Sequence, residues 1–182
     1  MNDERRLYVL RHAKSSWDNP AQEDHDRPLA PRGQRAVAAL ATYIANSEIR
    51  PQIVLCSSAR RTRETLEGVG VGGAHRIERR FFELGCGGML DELRALPADT
   101  ESAMVVGHNP TMQRLVLKLT GGSATHNAGP SQQLVGEQLV EIERKFPTGA
   151  LATLRFSCQW AELASGAAQL SEYVKPKALQ FS

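Results

Sequence analysis

Residues 7–12 read Leu-Tyr-Val-Leu-Arg-His, four apolar side chains followed at once by an arginine and a histidine. Residues 104–108, Met-Val-Val-Gly-His, also form an apolar run that ends at a histidine, and residues 53–58, Ile-Val-Leu-Cys-Ser-Ser, end at two serines. Short apolar runs bounded by polar residues or glycine are typical of strands buried in a parallel sheet. The three segments therefore predict central strands with polar side chains at their ends.

Helices are predicted after two of these strands. Apolar residues recur with the spacing i, i+3, i+4, i+7 over residues 37–44, which follow Pro31, and over residues 112–119, which follow Asn109 and Pro110. This spacing places the apolar side chains on one face of a helix. Asn109 suits the N-cap of the second helix, and Pro110 suits its first helical position.

Weaker patterns complete the assignment. Helices are predicted over residues 60–67, 88–96 and 134–145, strands over 150–156 and at a sheet edge over 169–174, and a loop over 121–133. Strands that alternate with helices predict an α/β domain with helices on both faces of the sheet. A length of 182 residues, with no repeat or linker, fits one domain spanning 1–182. Pattern alone predicts no strand order.

The composition excludes several classes of protein. The formal net charge is only +2, from 22 Lys and Arg against 20 Asp and Glu, which argues against a nucleic-acid partner. Three irregularly spaced cysteines do not form a disulfide scaffold. No apolar run approaches the ~18 residues of a membrane span, and the first residues lack a signal peptide's apolar stretch. We therefore expect a cytoplasmic protein that does not bind a membrane.

Arginine dominates the cations. Of the 22, 17 are arginines, and 13 of these lie in residues 1–80. Arginine is the better residue for bidentate phosphate binding, although a GC-rich genome produces the same bias without any functional reason.

The three strand ends carry the chemistry. Ligands of open α/β sheets bind outside the carboxyl ends of the strands. Arg11 and His12, the stretch 57–65, and His108 are expected to meet there. Two histidines and several arginines at one edge predict an anion site with two titratable groups, for which phosphoryl transfer is the natural use.

Three motifs carry a family resemblance: LRHAKSSW (10–17), SSARRTRET (57–65) and VVGHNP (105–110). Together they resemble the histidine phosphatase superfamily, also called phosphoglycerate mutase-like, and within it the SixA-type phosphohistidine phosphatases. DHDRPLAPRG (24–33) and PTGALATLRF (147–156) extend the resemblance over nearly the whole chain. The family's Arg-His-Gly reads Arg-His-Ala at residues 11–13. The resemblance implies a single three-layer αβα domain with a mostly parallel central sheet.

The resemblance also implies roles for individual residues. His12 matches the nucleophile that becomes a phosphohistidine, and His108 matches a second histidine beside the phosphoryl group. Arg11 and Arg61 match the arginines that hold the phosphoryl oxygens. Arg60 and Arg63 compete with Arg61, but the family spacing Ser-x-x-x-Arg-x-x-x-Thr selects Arg61. The alternatives are a hydrogen-bonded histidine without a role at position 12 and a helix-capping histidine at position 108.

The general acid is open at this point. Glu83, in RRFFELG (79–85), lies roughly where the larger family members carry a carboxylate that protonates the leaving group. Asp18 and Asp26 are alternatives, although Asp26 beside Arg27 equally suits a structural ion pair. A phosphoramidate leaving group needs less help, so the site can also lack a dedicated acid.

The expected function is that of a metal-independent phosphatase that forms a phosphohistidine intermediate and acts on protein phosphohistidine. The chain contains no HExxH motif and no Cys/His pairing, so we expect no metal and no cofactor. His25, His75 and His126 are interpreted as loop histidines. One alternative is a phosphatase for small phosphate esters, and another is a catalytically silent phosphate-binding module. The sequence predicts no oligomeric state.

Overall fold

Six strands form one sheet in the computed structural model, which describes residues 4–122 and 130–179, with the backbone alone at 130–132. The strands are β1 (Arg5–Arg11), β2 (Ile53–Ser57), β3 (Ala74–Glu78), β4 (Ser102–Gly107), β5 (Leu151–Phe156) and β6 (Gln169–Val174). Their order across the sheet is β3-β2-β4-β1-β5-β6. β1 pairs in parallel with β4, and β2 pairs in parallel with β4 and β3, whereas β5 is antiparallel to β1 and β6. The sheet is therefore mixed, with mostly parallel pairings.

Helices cover both faces of the sheet. They are α1 (Pro31–Ala45), α2 (Arg60–Val69), α3 (Arg80–Glu83), α4 (Cys86–Arg94), α5 (Thr111–Thr120), α6 (Pro130–Arg144) and α7 (Pro176–Leu179). Leu7 and Val9 of β1 pack into one apolar cluster with α4, α5 and α6. Tyr8 and Leu10 pack into a second cluster with α1 and α2. Because successive side chains of a strand point to opposite faces, β1 holds both layers of helices against the sheet.

The three strands predicted from apolar runs are confirmed as β1, β2 and β4, which are neighbours at the centre of the sheet. The two periodic helices are confirmed as α1 and α5, and the edge position predicted for β6 is also confirmed. α5 begins at Thr111, one residue later than predicted, and Asn109 does not cap it. The side-chain amide of Asn109 instead donates to the carbonyl of Phe146 at 3.0 Å.

Two predictions differ from the structure. β3 was missed because its sequence, Ala-His-Arg-Ile-Glu, lies at an exposed sheet edge and lacks an apolar run. The loop predicted over 121–133 is wrong for its last residues, since α6 begins at Pro130, and proline is favoured in the first turn of a helix. Residues 123–129 of that segment, including His126, lie outside the described residues.

Gly33 permits the first turn of α1 to lie directly against the segment that follows β1. A Cβ atom at Gly33 would lie 2.1 Å from the carbonyl oxygen of Lys14, far inside van der Waals contact. The same carbonyl accepts the Ala30 N–H at 2.8 Å. Since both contacts involve backbone atoms, neither side can yield without moving the loop beyond His12.

We predict that Gly33→Ala lowers the free energy of unfolding by about 2 kcal/mol, the typical cost of forcing an extra methyl group into a packed region. Gly87→Ala is the matched control, because no atom lies within 4 Å of its added Cβ. That change in the first turn of α4 should leave stability unchanged or raise it. Urea denaturation of both variants measures the difference, and equal stabilities would show that the contact at Gly33 is not tight.

Candidate active site

His12 lies one residue beyond β1, and backbone hydrogen bonds hold it there. Its N–H donates to the carbonyl of Gly107 at 3.0 Å, which ties it to the end of β4. The N–H of Gly149 donates to the carbonyls of both Arg11 and His12, at 3.1 and 3.0 Å. Gly149 has a φ of +76°, a conformation that favours glycine. The family-like segment 147–156 thus supports the backbone of the site.

The His12 ring is fixed in one tautomer. Its Nδ1 lies 2.7 Å from the carbonyl oxygen of Ala13, so Nδ1 carries the proton and donates it to that oxygen. The ring is buried, with 7% of the residue exposed. Nε2 therefore remains as the nitrogen with a free lone pair.

His108 lies beside His12 in the opposite tautomer. The two ring centroids are 5.1 Å apart. Nδ1 of His108 accepts a hydrogen bond from the Arg61 guanidinium at 3.2 Å, and Nε2 donates to Ser57 Oγ at 2.8 Å. An arginine can only donate, which assigns the proton to Nε2.

Arg61 is the arginine of α2 that lies in the site. It is buried and bonds to Asp24 through both the backbone oxygen and the carboxylate, the latter at 2.9 Å. Arg60 and Arg63 are exposed, and Arg60 pairs with Glu64 at 2.6 Å. The helix therefore turns one arginine inward and two outward.

Thr65 joins α2 to the segment beyond His12. Its hydroxyl donates to the carbonyl of Arg61 at 2.6 Å and accepts the N–H of Ala13 at 3.1 Å. The spacing Ser57, Arg61, Thr65 thus places three contacting residues along one side of the site. Ser57 binds His108, Arg61 binds His108 and Asp24, and Thr65 holds the backbone next to His12.

Asp24 is a site residue that the sequence analysis missed. Its carboxylate lies between Arg61, at 2.9 Å, and Arg27, at 2.7 Å. Partial burial opposes its ionisation, but the hydrogen bond from Arg27 and the charge of Arg61 lower its pKa below the ordinary value. The available signal was the acidic start of the motif at 24–33, of which only Asp26 was considered. Asp26 pairs with His25 at 3.2 Å and not with Arg27, which corrects the ion pair suggested above.

Arg11 adds a second guanidinium. It is half-buried and donates to the carbonyl of Phe146 at 2.7 Å, while its buried Nε has no hydrogen-bond partner in the described parts of the chain. Burial, and then the charge of Arg61, lowers the pKa of Arg11. Two guanidiniums that repel each other beside a single exposed carboxylate favour an anion between them.

Burial keeps both histidines neutral. It lowers the pKa of His12 to about 4, against the hydrogen bond to Ala13, and the charges of Arg61, Arg11 and Arg27 lower it further. The pKa of His108 is lowered to about 3, mainly by burial and further by the neighbouring His12 and Arg61. His108 is therefore uncharged in the free site at neutral pH, and an anion bound beside it would raise its pKa.

Phe82 closes one side of the site. Its ring meets His108 edge-on at 5.1 Å and His25 edge-on at 5.3 Å. His25 belongs to a 3-10 helix, Asp24–Asp26, and its Nε2 lies 2.9 Å from Ser58 Oγ. Neither residue was assigned a place at the site from sequence. Apolar contact from Phe82 contributes to the burial that keeps His108 neutral.

Comparisons with known proteins identify the family of the chain. The family model of the histidine phosphatase superfamily (branch 1) matches residues 7–90. An uncharacterized Mycobacterium tuberculosis protein is 34% identical over 168 residues, which cover 92% of this chain and 100% of that protein. The chain belongs to the histidine phosphatase superfamily.

Solved structures of the superfamily share the whole fold. One from Nakamurella multipartitia, proposed to be the phosphohistidine phosphatase SixA, superposes with a TM-score of 0.80 at 33% identity, covering 95% of this chain and 96% of that one. A second protein proposed to be SixA, from Agrobacterium tumefaciens, gives a TM-score of 0.74 at 26% identity, covering 94% and 98%. The predicted resemblance and the α/β fold class are confirmed.

The carboxylates proposed as general acid lie outside these contacts. Glu83 is exposed at the end of α3, and its nearest ion-pair partner is Arg79 at 4.0 Å. Asp18 is exposed on the loop after β1. Within residues 4–122 and 130–179, no hydrogen bond or ion pair joins Glu83, Asp18 or Asp26 to His12 or His108. The role of Glu83 stays a prediction.

Residues 4–122 and 130–179 contain neither a membrane-spanning helix nor a cluster of metal ligands. None of the helices found there is both long and apolar enough to cross a membrane. The same residues contain no group of three or more His, Cys, Asp or Glu side chains that could hold a metal ion.

We predict that the free energy of unfolding falls as the pH is lowered from about 7 to about 4. In this interval the unfolded chain protonates both histidines near their ordinary pKa of 6.5, whereas the folded chain protonates His12 only at about 4 and His108 only at about 3. Unfolding therefore takes up protons, and acid favours it. Urea denaturation at several pH values measures the slope, and ¹⁵N NMR of the imidazoles should report neutral rings at pH 5.5.

The control for this prediction is a pair of variants. His12→Gln with His108→Gln should flatten the pH dependence, whereas His75→Gln, on the exposed edge strand β3, should retain it. A double variant with the wild-type slope would show that other groups determine the acid sensitivity.

Proposed function

We propose that this protein is a metal-independent phosphatase that transfers the phosphoryl group of a protein phosphohistidine to His12 and then to water. The observation that carries the proposal is the state of the His12 ring. It is neutral, its Nδ1 proton is held by Ala13, and Nε2 is free beside a positively charged cluster. A neutral imidazole of this kind is a nucleophile ready for attack on phosphorus.

The first step forms a bond between Nε2 of His12 and phosphorus and breaks the bond from phosphorus to the leaving nitrogen. The phosphorylated ring keeps its Nδ1 proton, and the Ala13 carbonyl that accepts this proton stabilises the positive charge of the ring. In the second step water attacks phosphorus and loses a proton to the solvent, while the bond from phosphorus to Nε2 breaks. Its electron pair returns to Nε2, so His12 becomes neutral again and inorganic phosphate is released. The acceptor at Nδ1 thus serves both steps.

Arg11 and Arg61 are proposed to bind the phosphoryl oxygens. Guanidinium groups fix the orientation of a phosphoryl group and stabilise the charge that spreads over its oxygens in the transition state. Arg61 donates hydrogen bonds from its two terminal nitrogens to the backbone oxygen and the carboxylate of Asp24. These two bonds hold the guanidinium in one orientation before substrate binds. His108, neutral in the free site, can take up a proton at Nδ1 when a phosphate dianion binds beside it. This proton replaces the hydrogen bond from Arg61, and His108 then offers the phosphate both a charge and a hydrogen bond.

Protein phosphohistidine is proposed as the substrate for two reasons. The Nakamurella multipartitia relative, 33% identical, is itself proposed to be a phosphohistidine phosphatase. In addition, no carboxylate of the described residues contacts either histidine, and an alkoxide leaving group needs a proton donor, whereas a leaving imidazole nitrogen can take its proton from water. Glu83 remains the proposed acid if the enzyme also acts on phosphate esters.

Trapping the intermediate tests the proposal. After rapid mixing with ³²P-labelled phosphoramidate and quenching, we expect a protein adduct that is stable in alkali and labile in acid, as a phosphohistidine is. His12→Ala should abolish the adduct and reduce turnover by ~10³-fold or more, as removal of covalent nucleophiles does. EDTA should leave the rate unchanged. An alkali-labile or acid-stable adduct, or EDTA inhibition reversed by a divalent metal, would contradict the proposal.

A second prediction concerns the arginine of α2. Arg61→Lys keeps the charge but loses the planar fork that reaches Asp24 and His108, so kcat/KM for phosphoramidate should fall by roughly 10²-fold. Arg60→Lys, one residue away and exposed, is the control and should stay within about twofold of wild type. Similar losses in the two variants would place the phosphate contact elsewhere on α2.

A further inference from the structure

A groove of about 860 Å³ opens beside Arg11, away from the His12 ring contacts described above. Six cationic side chains line it, and we call it the lysine groove: Arg11, Lys14, Arg32, Lys145, Lys175 and Lys177. They come from the end of β1 and the segment after it, the first turn of α1, the residue that follows α6, and the segment around α7. Arg11 belongs to both the groove and the site, so the groove runs up to the proposed phosphoryl position.

Lysine is rare in this chain and concentrated here. The sequence has five lysines against 17 arginines, and four of the five line the groove. The fifth, Lys118, lies exposed on α5. A genome bias toward arginine would make lysines few, but it would not gather them at one place. Lysine provides a flexible, strongly hydrated point charge, in contrast to the rigid two-pronged arginine.

The charges of the groove are mostly unbalanced. Among the described residues that line it, the one carboxylate is Glu141, which pairs with Lys175. In the described ranges, no acidic side chain forms an ion pair with Lys14, Arg32, Lys145 or Lys177. Elsewhere arginines are commonly paired, as Arg60 is with Glu64. A positive potential of this kind, in a chain whose formal net charge is only +2, marks a surface that attracts an anionic partner.

The lining also indicates which anion fits. Its other side chains are alanines, prolines and one threonine, with no aromatic ring among the described lining residues: Ala36, Pro147, Thr148, Pro176 and Ala178. Single-stranded nucleic acid is usually held by stacking its bases on aromatic side chains, which this groove does not offer. Single point charges spread over several chain segments suit carboxylates distributed along a polypeptide, with small apolar side chains beside its backbone.

We propose that the lysine groove binds an acidic segment of the phosphorylated protein, next to the histidine whose phosphoryl group enters the site. The proposal rests on the proposed phosphohistidine phosphatase activity and specifies the substrate further. The arginines at the site would recognise the phosphoryl group, and the lysines would recognise carboxylates that flank it. Charge complementarity of this type mainly sets which partner binds and how fast it arrives.

Two phosphohistidine peptides of equal length test the groove. One carries Asp and Glu around the phosphohistidine, and the other carries Asn and Gln at the same positions. In the triple variant Lys145→Gln, Lys175→Gln, Lys177→Gln, kcat/KM for the acidic peptide should fall roughly 10-fold, in line with a few exposed charge contacts. The rates with the neutral peptide and with free phosphoramidate should remain within about twofold of wild type.

Lys118→Gln is the matched control, because it removes the one lysine outside the groove and should change none of these rates. Added salt should reduce the preference of the wild type for the acidic peptide, since screening weakens exposed charge contacts. Equal losses with both peptides in the triple variant, or a loss with Lys118→Gln as large as that of the triple variant, would overturn the proposal.

Direct binding separates the groove from the catalytic proposal. Fluorescence anisotropy with labelled, unphosphorylated acidic peptide needs no turnover, and the triple variant should bind it roughly 10-fold more weakly than wild type. If the enzyme fails to release phosphate but this binding difference is found, the phosphatase proposal fails and the groove proposal stands. Equal affinity of the wild type for acidic and neutral peptides, or tighter binding of single-stranded DNA of equal charge, would overturn the groove proposal.

Discussion

The parallel pairing of β1 with β4 is the constraint on which the site depends. Arg11 lies opposite Gly107 in this register, and a histidine follows each of these two residues. The register therefore brings His12 and His108 side by side, with their ring centroids 5.1 Å apart. The hydrogen bond from the His12 N–H to Gly107 continues the ladder one residue past the strand. A shift of one residue would turn the side chains of β1 to opposite faces, which would misplace both apolar clusters and the nucleophile together.

Burial of the two histidines connects the stability of the fold to its chemistry. Desolvation and the neighbouring guanidinium charges lower the pKa of both histidines, so the two rings stay neutral inside the protein. Asp24 offsets part of the positive charge, but it is itself half exposed and shared by two arginines. The free site therefore retains an excess of positive charge that a phosphate dianion can neutralise. The burial of the two histidines also makes the fold less stable in acid, because unfolding allows both rings to take up protons.

The sequence predicted most of what depends on local pattern. Apolar runs located β1, β2 and β4, and periodicity located α1 and α5, because these elements are buried and their side chains repeat with a fixed period. β3 escaped because it lies at a sheet edge and is mostly polar. Motif spacing pointed to Arg61 rather than its neighbours, and the structure places that side chain next to His108. Asp24 was missed because its partner Arg61 is 37 residues away, and the contact depends on how the loop after β1 folds back.

The basic residues divide into two groups with different physical requirements. At the phosphoryl position, the proposed contacts are made by arginines whose geometry is fixed by others: Asp24 holds Arg61, and the Phe146 carbonyl holds Arg11. In the groove, most of the charges are carried by lysines, whose side chains are flexible. A planar guanidinium suits a group whose geometry never changes, whereas a flexible ammonium suits carboxylates whose positions differ between partners. Arg11 belongs to both groups, so a partner in the groove would also contact a guanidinium that is proposed to orient the phosphoryl group.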